Sequence, residues 1–204
     1  ELEPDLVILS FDPGDVVAGL DALGIPAVLE GTAVSLDDAY AQIERAVAAT
    51  GHIAASAALV ADMQRRIEAA VASAPSFEVA PRIFHEVSFD LYSSTSSTFI
   101  GQLYSLFGVE NIADAADAEG FGFPQLAAEY ILEQNPDIIF LGDVLYGESA
   151  ETVGARPGWD ALAAVATGSI VELDTDIASR WGPRIPDLME QIAAALVEHA
   201  GVAA

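Results

Sequence analysis

Three segments of this 204-residue chain place aromatic and charged side chains just after short apolar runs. In an open α/β sheet that position, the carboxyl end of a strand, is where ligands bind. After Arg82–Val87 come Phe89, Leu91 and Tyr92. After Ile138–Leu141 come Asp143 and Tyr146, and after Ile170–Leu173 come Asp176, Arg180 and Trp181. Phe123 lies just before a helical stretch that carries Glu129. Broad aromatic faces with one polar tip, interleaved with a few polar groups, suit non-covalent capture of a large, flat, partly apolar ligand. The ligand-binding candidates are therefore Tyr92, Phe123, Tyr146, Arg180 and Trp181. Core packing is the competing role for each aromatic, and Trp159 is expected to anchor its own helix. Arg180 has two roles open: a bidentate grip on a carboxylate, phosphate or catecholate oxygen, or an ion pair with Asp174 or Asp176.

Other chemistry is sparse. His85-Glu86 ends a strand, and the imidazole there is an axial ligand, a pocket donor, or a buried and satisfied side chain. A dedicated metal site needs several converging ligands. The other histidines, His52 and His199, fall in helical or terminal segments, and there is no cysteine, so no metal site is expected. There is no Gly-x-Ser-x-Gly elbow, no phosphate-cradling glycine loop and no His-Glu-x-x-His pair. The Ser93–Thr98 run has no base placed by spacing to activate it. No catalytic residue and no cofactor is named, and the chain reads as a binder rather than an enzyme.

The elements that must position these side chains are marked by a repeated unit. Leu2-Glu3-Pro4-Asp5-Leu6-Val7-Ile8 and Leu132-Glu133-Gln134-Asn135-Pro136-Asp137-Ile138-Ile139 each read as a helix end, a Pro-Asp turn and a short apolar run. The residue before proline is pushed out of the α region, which stops the helix. An uninterrupted apolar run suits a strand covered on both faces of a parallel sheet. The first copy starts almost at residue 1, so the chain is expected to begin partway through a first lobe. Strands are predicted at 5–10, 25–29, 82–87, 138–141 and 168–173. Helices are predicted at 16–23, 36–49, 53–74, 99–107, 126–134, 159–165 and 186–199. Alternation of this kind argues for parallel α/β lobes. The longest helix lies between two α/β series and reads as a stiff connector. The expected divisions are 1–51 for the remainder of an N-terminal lobe, 52–76 for the connecting helix and 77–204 for a C-terminal lobe.

Composition narrows the partners. The chain is 52% hydrophobic, enough for a core, yet no window has the uninterrupted apolar length of a membrane span. It carries 32 Asp and Glu against seven cationic residues, all of them Arg, for a formal charge of −25. Phosphate backbones and anionic lipid surfaces repel such a chain, so nucleic acid is excluded as a partner.

Taken in order, these segments resemble the substrate-binding proteins of ABC importers for vitamin B12, ferric siderophores and haem. The resemblance is carried by the two Pro-Asp units, Leu23-Gly24-Ile25-Pro26, and Ser97-Thr98-Phe99-Ile100-Gly101 with Glu110-Asn111-Ile112-Ala113. It continues through Phe123-Pro124-Gln125-Leu126 with Glu129, Arg156-Pro157-Gly158-Trp159 and Gly182-Pro183-Arg184-Ile185. It covers nearly the whole chain and departs at the front, where the first strand–helix units, a signal sequence and an anchoring cysteine have no counterpart. The resemblance implies two α/β lobes joined by one long helix, a metal-chelate ligand in the cleft between them, and an ABC permease with its ATPase as partners. It implies a monomer on the outer face of the cytoplasmic membrane, lipid-anchored in its full form. It makes Glu129 a permease-docking residue, one of two exposed glutamates that pair with permease arginines. An α/β enzyme or a sensor module on the same two-lobed plan is the alternative.

Overall fold

A computed structural model describes residues 3–203. The order is β1 (Val7–Leu9), α1 (Val16–Ala22), β2 (Ala27–Leu29), α2 (Leu36–Ala49), α3 (Ile53–Ser73), β3 (Arg82–Ser88), β4 (Tyr92–Ser93) and α4 (Phe99–Ser105). There follow β5 (Glu110–Asn111), α5 (Ala128–Gln134), β6 (Ile138–Leu141), α6 (Ala150–Gly154), α7 (Ala163–Thr167), β7 (Ile170–Glu172), α8 (Thr175–Ala178) and α9 (Ile185–Ala203). The chain divides into two compact units, one up to Asp62 and one from Met63 onward, so the division falls within α3.

In the first unit β1 and β2 pair in parallel, with Val7 opposite Ala27 and Leu9 opposite Leu29. The turn before α1 is held by Asp12, whose carboxylate accepts from the Val17 N–H at 3.1 Å. Helix α2 starts where the sequence predicts. The Ser35 hydroxyl accepts from the Asp38 N–H at 3.2 Å, and Asp37 and Asp38 sit in the first turn, where negative charge suits the helix dipole. Arg45 on α2 grips Glu30 with two hydrogen bonds of 2.6 Å.

Helix α3 runs 21 residues, close to the predicted 53–74. Its buried side chains are Ser56, Val60, Met63, Ile67 and Ala70. That alternation of four and three is one face of a helix. Within the second unit Arg66 ties α3 to α9 through Asp187 at 2.5 Å and Glu190 at 2.9 Å.

The second unit is built on a five-stranded sheet of order β4-β3-β6-β7, with β5 also pairing β3. β3, β6 and β7 run parallel, with Phe84 opposite Ile139 and Phe140 opposite Val171. Strand β6 (Ile138-Ile139-Phe140-Leu141) is buried at all four positions, as a parallel strand with helices on both faces must be. Alternation separates two layers. Phe84, Ile139 and Leu141 pack with Ile131, Trp159 and Leu162 on one face. On the other face His85, Tyr104 and Phe140 stack, Tyr104 and Phe140 with ring centroids 4.9 Å apart.

Two predicted loops contain pairing. Tyr92–Ser93 forms β4 against β3 after a turn in which Leu91 takes a positive φ of 68°, and Glu110–Asn111 forms β5. Both strands are only two residues long, too short for periodicity to show. The helix predicted at 159–165 is split into a 3₁₀ turn at Trp159–Ala161 and α7.

Candidate functional site

Because β3, β6 and β7 are parallel, their carboxyl ends all lie along one edge of the sheet. The loops that follow them carry the sequence candidates to that edge. Tyr92 lies in β4, half-exposed, and forms an antiparallel bridge with Gln125. The Ser93 N–H donates to the Pro124 carbonyl at 2.9 Å and the Thr95 N–H to that of Gly122 at 2.9 Å. These bonds lay the segment bearing Phe123 alongside β4, and Phe123 is 51% exposed. The Asp117 carboxylate fixes the start of that segment by accepting from the Phe121 and Gly122 N–H groups at 3.0 and 2.7 Å.

Tyr146 closes a 3₁₀ turn after β6 that ends at Gly147 and is 79% exposed. The Leu145 N–H donates to the Thr175 hydroxyl at 3.1 Å, which ties this loop to α8. Helix α8 is capped by Asp174, whose carboxylate accepts from the Asp176 and Ile177 N–H groups. Just past α8, Arg180 is engaged by Asp176 at 2.9 Å in a pair that leaves its side chain 70% exposed, and Trp181 is half-buried. Glu129 is exposed in the first turn of α5. Phe89, Phe121 and Leu145 add large exposed apolar groups on the same loops.

His85 sits apart from these residues. It is buried, and its Nδ1 lies 2.8 Å from the Tyr104 hydroxyl. Burial lowers its pKa to about 4, so the ring is neutral at ordinary pH. Trp159 is buried in the core, as an anchor must be.

Beneath the exposed edge lies a charged centre that the sequence reasoning missed. Glu86, 0% exposed on β3, accepts two hydrogen bonds of 2.6 Å from Arg156. Arg156 also donates to Glu148 at 2.7 Å, and its guanidinium lies 4.7 Å from the centre of the Trp159 ring. Burial raises the pKa of Glu86, while the bonds from Arg156 pull the other way. Asp143, only 1% exposed at the end of β6, completes the cluster. Burial, then the Glu86 charge, pushes its pKa up to about 7. A signal for this centre was present. A glutamate in an apolar strand needs a cation, and the chain has only seven. Among the described residues no group of three or more His, Asp and Glu side chains is placed to hold a metal ion.

The parallel sheet of the second unit thus carries exposed aromatics at its carboxyl edge above a buried charged centre. The chain is 31% identical over 197 residues to the cobalamin-binding protein of Halobacterium salinarum, covering 94% of this chain and 53% of that protein. It is 28% identical over 200 residues to the uncharacterised ABC transporter substrate-binding lipoprotein YvrC of Bacillus subtilis, covering 94% and 62%. The chain thus spans little more than half the length of these relatives. Among solved structures, the periplasmic haem-binding protein RhuT of Roseiflexus sp. RS-1 superposes with a TM-score of 0.81 at 23% identity, covering 98% of this chain and 78% of that one. A possible iron-binding periplasmic solute-binding protein of Staphylococcus epidermidis gives 0.78 at 25%, covering 95% and 76%. The family model described as periplasmic binding protein matches residues 1–177, and with that match over most of its length the chain belongs to the periplasmic binding protein family.

Proposed function

We propose that this chain is the ligand-binding part of an extracytoplasmic substrate-binding component of an ABC importer. It captures a metal chelate (a corrinoid, a ferric siderophore or haem) and delivers it to the permease and its ATPase. The observation that carries the reading is the row of exposed aromatics, Tyr92, Phe123 and Tyr146, on the carboxyl edge of the second unit's sheet. A flat macrocycle or chelate offers the matching apolar face, and Arg180 and Trp181 lie on the neighbouring loop. The name of the Halobacterium relative puts cobalamin first among the ligands. An α/β enzyme or sensor module has less support, because the family is one of binding proteins for transport.

In this reading α3, within 52–76, connects an N-terminal lobe at 1–51 to a C-terminal lobe at 77–204. The protein acts as a monomer on the outer side of the cytoplasmic membrane, lipid-anchored in its full form, with no nucleic-acid partner.

The test is Trp fluorescence titrated with cobalamin, haem and ferric siderophores. Saturable quenching by one of them, weakened in Trp181→Phe and in Phe123→Ala, is the expected result. Fluorescence that none of the three changes would refute the reading. Glu129 is assigned to permease docking, where a rim charge sets orientation and encounter rate. Glu129→Arg is expected to leave ligand affinity unchanged and to weaken stimulation of the transporter's ATPase. Full stimulation by the variant would remove Glu129 from that role.

A further inference from the structure

We propose that Asp143 is held as a neutral carboxylic acid, donates a hydrogen bond from its O–H to the Glu86 carboxylate, and thereby pins the loop that presents Leu145 and Tyr146. The geometry leaves little alternative. Both Asp143 oxygens are buried, and neither accepts a hydrogen bond from any described donor. Glu86 pairs with Leu141 in the sheet and its carbonyl accepts from the Gly142 N–H at 2.8 Å, so Asp143 follows directly beside it, and the Glu86 charge acts on Asp143. Two carboxylates facing each other have no proton to share and repel, whereas a protonated Asp143 gives the pair a charge-assisted bond.

The Arg156 charge pulls Asp143 the other way, toward its ionised form, but the hydrogen bonds of that guanidinium go to other acids. From β3 comes Glu86, already bound twice by Arg156. From the loop before α6 comes Glu148, which takes a third bond from the same Arg156. One guanidinium therefore bonds two acids and leaves Asp143 without a donor. His85, also on β3, lies against Gly142 and is kept neutral by burial. The Glu172 carboxylate on β7 is occupied by the Ala150 N–H at 2.8 Å; on α8 the Thr175 hydroxyl accepts from the Leu145 N–H, and Asp176 is paired with Arg180. Burial and the Glu86 charge both favour the neutral form of Asp143.

Asp143 begins the turn that ends in the ligand edge. The Gly142 N–H donates to the Glu86 carbonyl and the Tyr146 N–H to the Asp143 carbonyl, both at 2.8 Å. Ionising Asp143 sets two buried negative charges against each other at the root of this turn. The consequence for ligand affinity rests on the proposed function, but the pin itself does not.

The sign of the linkage is fixed by the direction of the shift. A folded-state pKa of about 7 lies above the ordinary Asp value, near 3.9. The stabilisation is complete below the unfolded value and is lost as pH rises through the folded one. Relative to Asp143→Asn, which keeps the donor and has no charge, the wild-type folding constant should fall up to tenfold per pH unit between about 4 and about 7, then level off. A ratio that does not change with pH would overturn the proposal. Infrared spectra supply a second readout that needs only the wild type. A neutral-carboxyl carbonyl band should be present at pH 6 and titrate away near neutrality, and it should be missing from Asp143→Asn. No band at pH 6, or a band that persists in the variant, would also overturn it. Amide exchange at Tyr146, compared at equal pH, should be faster in wild type than in the variant at pH 8 but not at pH 6. Equal rates at both would remove the pinning. None of these readouts uses a ligand, so silence in the fluorescence titration would leave them standing.

Discussion

Replacing Arg156 by Ala is expected to destabilise the second unit by about 3–5 kcal/mol at pH 8, the range for breaking a buried ion pair from one side. Glu86 is fully buried and its two short bonds both come from Arg156. Without the guanidinium the strand must hold an unpaired charge or take up a proton. Loss of the guanidinium raises the folded-state pKa of Glu86 further above its unfolded value. The variant should therefore recover stability as pH falls toward 5 and be weakest in alkali. The double variant Glu86→Leu with Arg156→Leu should regain most of the loss at pH 8, because the pair's desolvation cost leaves with its attraction. Urea denaturation at pH 8 and pH 5 measures all three chains. An Arg156→Ala midpoint that matches wild type at both would show that the pair carries no stability.

Gly101→Ala should cost about 3 kcal/mol, even though alanine is the better helix former by about 1 kcal/mol. Gly101 lies in the first turn of α4, whose cap is the Thr98 hydroxyl accepting from the Gly101 N–H at 3.0 Å. A Cβ there would stand 1.9 Å from the Thr95 carbonyl oxygen and 2.7 Å from the Ser96 Cα. Both are backbone atoms, so no side chain can swing aside. The backbone is also held from behind. Asp114 accepts from the Ser96 N–H and hydroxyl, both at 2.7 Å, and the Asn111 side chain donates to the Ser94 carbonyl at 2.7 Å. The clash therefore outweighs helix propensity. Gly19, mid-helix in α1 with open space around its Cβ direction, is the control, and its alanine variant should gain about 0.5–1 kcal/mol. A Gly101→Ala protein as stable as wild type would mean the 95–98 backbone can yield.

These two sites show where the sequence was legible. The helix predicted from residue 99 is there, opened by the Thr98 cap. Nothing in the string said that Gly101 is needed because the loop backbone at Thr95 and Ser96 runs against it. Glu86 and Arg156 are 70 residues apart and meet only because β3 lies beside β6 and the chain returns after α6. The two-residue strands β4 and β5 were invisible for a related reason, since their pairing is set by β3 and not by their own composition.

By itself the sequence determined the alternation of helices and strands, the long helix at 53–73, the helix starts at Leu36 and Phe99, and the carboxyl-edge loops that carry the aromatics. Those features follow from local rules, such as periodicity, capping and the steric demand of proline, that act within a few residues. Only the tertiary structure decided that the segment bearing Phe123 lies alongside Tyr92 in β4, that His85 turns to Tyr104 on α4, and that Glu86 and Glu148 share a single arginine beside the buried Asp143. Burial and charge pairing are properties of distant segments brought together, and desolvation gives a carboxylate its character only once its surroundings are built.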